Sequence, residues 1–88
     1  MANHASAKKR IRQTERRTAR NRHVRSTVRT YIKRARLAIA SGDAGAAESA
    51  VREAESKIRR AVSKGVYHQN TGSRYVSRLA HAVQAIKA

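Results

Sequence analysis

The sequence predicts an all-α fold: a three-helix bundle whose long N-terminal helix extends beyond the bundle. Three observations carry this. Apolar residues recur at helical spacing in three stretches, and no strand-like alternation competes with them. There is no proline and there are four glycines in 88 residues, so little interrupts a helix. The strong punctuation falls at two places, Ser41-Gly42-Asp43 and Lys64-Gly65, with a weaker Asn70-Thr71-Gly72 beyond.

The first helix is expected over about residues 7–40, roughly 50 Å at 1.5 Å per residue. Its second half carries the stripe Val24, Val28, Tyr31, Ile32, Ala35 and Ile39. Residues 7–23 hold Ile11 and Ala19 but no stripe, and Arg10, Arg12, Arg16, Arg17, Arg20 and Arg22 point around the whole cylinder. Ala, Arg, Lys, Gln and Glu favour helix there, yet nothing is available to bury. Residues 1–23 therefore read as a basic extension, largely disordered in the free chain and helical when bound, and residues 24–88 as the bundle. Together they form one domain.

Gly42 suits the left-handed residue that closes a helix, and Asp43 suits the cap that opens the next. The second helix then shows Ala47, Ala50, Val51, Ala54, Ile58, Ala61 and Val62 on one face. Gly65 closes it. The third begins near Asn70, taken as its cap, with Val76, Leu79, Ala80, Val83 and Ile86 as its stripe. Each stripe is narrow and alanine-rich, so no helix stands alone in water. Short connections give an up-down-up bundle of low stability.

Charge points to the partner. The chain has 21 Lys+Arg against 5 Asp+Glu, a formal net charge of +16, with 14 Leu, Ile, Val and Phe in total. The charge is not spread evenly: residues 1–36 hold 13 cations and one acid, Glu15. Such a block reads as a polyanion binder. A cylinder with cations on all sides suits folded RNA, where several backbones converge, better than one groove of duplex DNA. Three Tyr and no Phe or Trp leave little to stack on splayed bases, so backbone and shape recognition is expected. Arg74 and Arg78, with His81 nearby and Lys64, His68 and Asn70 in the preceding turn, make a smaller second patch. Tyr31 and Tyr75 read as core-edge residues, and Tyr67 as a turn residue able to reach a sugar or base.

Other classes fit poorly. DNA-coating proteins use apolar wedges, helix-turn-helix spacing or leucine heptads, and Leu37 and Leu79 are the only leucines. Residues 7–23 lack the large apolar face of a membrane-surface helix, and no transmembrane span or signal peptide is evident. The chain reads as complete and cytosolic. His4, His23, His68 and His81 are scattered, the carboxylates show no catalytic or metal spacing, and there is no cysteine. An enzyme, a cofactor and a small-molecule substrate are not expected.

The residues also carry a resemblance. Met1-Ala2-Asn3, Ser6-Ala7-Lys8-Lys9-Arg10-Ile11-Arg12-Gln13, Glu15, Arg17, Arg20-Asn21-Arg22 and Ser26 through Val28-Arg29-Thr30 resemble the start of the bacterial ribosomal small-subunit protein S-twenty family. Ala38-Ile39-Ala40-Ser41-Gly42-Asp43 looks like its first turn. Lys64-Gly65-Val66, His68, Asn70, Arg74 and Ser77-Arg78-Leu79 look like its second signature. The resemblance covers essentially the whole chain. It implies a structural component of the small subunit, in the cytoplasm, that binds 16S ribosomal RNA directly at the 5′ domain and the long helix near the 3′ end. It implies only peripheral contact with other subunit components and no obligate homo-oligomer. On matching positions, Lys8, Lys9, Arg10, Arg12, Arg17, Arg20 and Arg22 would touch RNA from helix 1. Lys64, His68, Asn70, Arg74, Ser77 and Arg78 would touch it from the second signature. Arg16, Arg25 and Arg29 complete the candidate set. Ala5, Gln69, Thr71, Tyr75 and Val76 depart from the family's basic tendency, and Gly72 and Ser73 replace alanines, which thins the charge on helix 3 and weakens its first turn.

Overall fold

The computed structural model describes residues 2–87 and contains three helices: α1 (Ala2–Ala40), α2 (Ala44–Ser63) and α3 (Gln69–Lys87). Helix α1 starts earlier than its apolar pattern, over residues whose alanines and cations have good helix propensity but no core to face. At 39 residues it is about 58 Å long. The radius of gyration is 17.8 Å, against about 12 Å for a compact chain of this length. The principal extents of 67 × 20 × 13 Å show the cause, a single rod standing out from a small body.

Both turns form as their glycines require. Gly42 takes φ +79° and donates to the Ile39 carbonyl at 3.0 Å. Asp43 then caps α2, its Oδ1 accepting from the Ala46 N–H at 3.2 Å. At the far end, Gly65 (φ +77°) donates to Val62 and Val66 donates to Ala61, which satisfies two carbonyls that the end of α2 would leave unpaired.

The start of α3 corrects the expected cap. Asn70 lies inside the helix, and its backbone N–H donates to His68 Nδ1 at 3.1 Å. The His68 carbonyl accepts the first helical bond, from Gly72. An imidazole thus does the work usually given to a short polar side chain.

The core is formed by Val24, Val28 and Ala35 of α1, Ala47, Val51, Ala54, Ile58 and Ala61 of α2, and Leu79 and Val83 of α3. Tyr31, Ile32, Ile39, Val76 and Ile86 pack around its edge. Ala80, expected in the α3 stripe, is exposed at the stripe's margin. Helix α2 packs on both neighbours, whereas α1 and α3 meet only lightly. Gly72 is buried against α2: a Cβ there would come within 2.6 Å of Val62 Cγ2. The glycine that weakens the first turn of α3 is also what lets that turn approach α2.

Candidate nucleic-acid interface

The basic half of α1 contributes no residue to the core before Val24. Residues 4–20 are exposed at every position, including Lys8, Lys9, Arg10, Arg12, Arg16, Arg17 and Arg20, and Arg22 is exposed as well. Lys8, Arg12, Arg16 and Arg20 recur every four residues and form a ladder of like charges up one flank. Such neighbours repel across each turn by a few tenths of a kcal/mol per pair. Arg10 and Arg17 lie on another side, in line with Val24 further along, so cations do encircle the rod. The Thr14 hydroxyl donates back to the Arg10 carbonyl at 2.9 Å, which keeps its polar group inside the helix.

Within the body, Arg25 and Arg29 are exposed on α1. They continue a line that runs Arg22, Arg25, Arg29, Lys33, Arg36, at spacings of three and four. Sequence reasoning stopped at Arg29. The same spacing extends the line to Lys33 and Arg36, which lie outside the all-round cationic stretch of residues 7–23. Arg34 and Lys57 instead sit over the Tyr31 ring, 5.1 and 5.2 Å from its centroid, which accounts for that half-buried ring at the core edge.

The second patch divides between two places. Lys64 caps the end of α2 and lines a furrow between α1 and α2 together with His23, Lys57 and Arg60, at the level where the rod leaves the body. His68, just before α3, and Asn70, Arg74, Ser77 and Arg78 on it are exposed. Because His68 Nδ1 accepts a hydrogen bond, its neutral ring carries the proton on Nε2, which is then the atom able to donate to phosphate. Ser77 Oγ lies 3.5 Å from His81 Nδ1 and borders α2, whereas Arg78 borders α1 opposite Arg36. Tyr67 is half-buried, edge-on to Tyr75 with centroids 5.9 Å apart.

The acids lie elsewhere. Glu48, Glu53 and Glu55 are on α2 and Asp43 is its cap. Among the described residues the ion pairs are Arg59–Glu55 and Lys87–Glu48, and neither uses a candidate cation. No buried polar side chain occurs among the described residues. What the arrangement offers is exposed positive charge displayed on helices, outside the ion pairs found among the described residues.

The sequence model of the family described as Ribosomal protein S20 matches residues 2–84. The chain belongs to that family. The chain is 57% identical over 88 residues to the Small ribosomal subunit protein bS20 of Maricaulis maris, covering both chains completely. It is 57% identical over 86 residues to the protein of the same name from Geotalea daltonii, covering 98% of this chain and 99% of that one. With that of Paramagnetospirillum magneticum it shares 52% identity over 88 residues, covering 100% and 98%. Members of the Ribosomal protein S20 family are structural proteins of the ribosome, not enzymes, and work where ribosomes do, in the cytoplasm. Among the described residues no helix is long and apolar enough to cross a membrane.

Proposed function

We propose that this chain is a structural component of the small ribosomal subunit that binds 16S ribosomal RNA directly and stabilises its folding. Its contacts are to phosphates and backbone shape, at the 5′ domain and the long 3′ helix. Contact with other subunit components is peripheral, and no second copy of the chain is required. The observation that carries this reading is the exposed run from residue 4 to 20, helical and cationic on every side. An S20-family member with such a rod has surface to offer RNA and little to offer a protein partner. Binding releases counterions, so affinity falls steeply with salt.

In this reading the rod is largely disordered in the free chain, and RNA holds it in the helical form. In the free chain the Lys8–Arg12–Arg16–Arg20 ladder repels itself and no tertiary contact offsets the ordering entropy. Phosphates remove the repulsion. Chemical footprinting on refolded 16S RNA tests the reading: protections confined to the 5′ domain and the long 3′ helix are expected. Equal affinity for duplex DNA at physiological salt would overturn it.

A further inference from the structure

We infer that the open furrow between α1 and α3 is a second RNA-binding surface that takes a single backbone strand, with Arg36 and Arg78 as its principal contacts. The inference rests on the reading of the chain as a 16S RNA binder and adds a site to it. The furrow exists because α2 packs on both other helices while α1 and α3 touch only lightly. Its floor is apolar, built from Ile32, Ile39, Tyr75 and Leu79, and Arg36 and Arg78 stand on opposite banks. Both arginines are exposed, and among the described residues neither is in an ion pair.

Charge complementarity selects the occupant. Arg36 ends a line on α1 that helical spacing carries through Arg22, Arg25, Arg29 and Lys33, and on α3 Arg74 stands one turn before Arg78. Residues 24–40 and 69–87 contain no acid, whereas every acid of the body belongs to α2 or its cap. The body thus has one face of mixed charge and one of a single sign. On α1 the line from Arg22 to Arg36 advances by three or four residues at a time, about 4.5–6 Å per step. That step is close to the separation of successive phosphates along one RNA strand. A strand lying along the furrow sets riboses on the apolar floor and phosphates on the two banks. The planar guanidinium of each arginine suits bidentate contact with phosphate oxygens. This surface is one-sided, unlike the rod, so it fixes the rotation of the body about the axis of α1.

The test compares Arg36→Gln/Arg78→Gln with Arg52→Gln/Arg59→Gln, two exposed pairs that remove the same formal charge, one from the furrow and one from α2. Circular dichroism first establishes that both fold. The furrow pair is expected to bind 16S RNA about tenfold more weakly, with the slope of log affinity against log salt shallower by about 1.5 to 2. It should also lose footprint protection over one short strand segment while the contacts of the rod persist. The α2 pair should change affinity about twofold at most and keep every protection. Equal losses in both pairs, or an unchanged footprint in the furrow pair, overturn the inference while leaving the proposed function intact. Failure of the unaltered protein to bind 16S RNA overturns both, and is told apart by appearing without any substitution.

Discussion

The two halves of α1 are one continuous helix with opposite reasons to exist. From residue 24 onward the inward face carries Val24, Val28, Tyr31 and Ala35, of which Val28 is 1% and Ala35 0% exposed. The same face continued toward the N-terminus carries Arg10, Gln13, Arg17 and Asn21. Helix α2 ends at Ser63, level with His23 and Val24, where the apolar residues stop. One half of α1 is therefore held by burying its face in a partner within the chain. The other half has the same backbone and similar charge but no apolar face to bury, and in the proposed function RNA takes the place of that partner.

The sharpest way to break this comparison is to remove one half. Deleting residues 1–23 takes away eight cations but none of the core. The remainder should keep its cooperative melting transition. If about half of those cations meet phosphates, affinity for 16S RNA at physiological salt falls about a thousandfold. A titration across salt concentrations checks the loss. Undiminished binding would show that the rod is not the main contact.

The opposite experiment strikes the packed half. Ile58 is 1% exposed at the centre of α2, and Ile58→Ala should cost about 2–4 kcal/mol. A core this small stands to lose most of its folded population, as denaturant melts would show. Amide hydrogen exchange gives the complementary reading in the unaltered protein. Residues around Ile58 should be protected, and residues 4–23 should exchange quickly in free protein and slowly in the RNA complex. Protection of 4–23 in the free chain would overturn the coupling of rod folding to RNA.

Packing in the body is tight enough that a single methyl matters. Gly72→Ala gains about 1 kcal/mol of helix propensity, but its Cβ meets Val62 Cγ2 at 2.6 Å. Val62 is β-branched and stiff, so the clash is expected to win by about 1 kcal/mol. Adding Val62→Ala should restore part of the loss, and that non-additivity is the check. The result also shows why the sequence was misleading here. Gly72 looks like a helix weakness in a list of residues, because what it approaches is 10 positions away on another helix.

Most of the architecture was legible because its causes are local. Gly42, Asp43 and Gly65 each have an intrinsic conformational role, and the α2 stripe repeats at helical spacing. What the sequence concealed depended on tertiary placement. His68 caps α3 although imidazole is an unusual cap, so Asn70 drew the assignment instead. Lys64 and Arg78 are near one another in the chain's second signature, yet one borders α1 and α2 and the other α1 and α3. Arg36 gains its interest only from Arg78 across the furrow, a pairing that no local pattern records.

The smallest expected effect is the cleanest contrast. Ile11 is the one large apolar residue of the rod, 57% exposed, where Ile58 is 1%. Area arguments give full value to a methylene only when it leaves water. In the free protein Ile11 leaves no water, so Ile11→Ala should shift stability by less than about 0.5 kcal/mol, since alanine is also the better helix former. The same chemical deletion is therefore expected to differ several-fold in effect between two isoleucines of one 88-residue chain. Denaturant melts of both variants measure the ratio. If Ile11→Ala destabilised the free protein as much as Ile58→Ala, the rod would have to fold back onto the body, and its independence from the core would be lost.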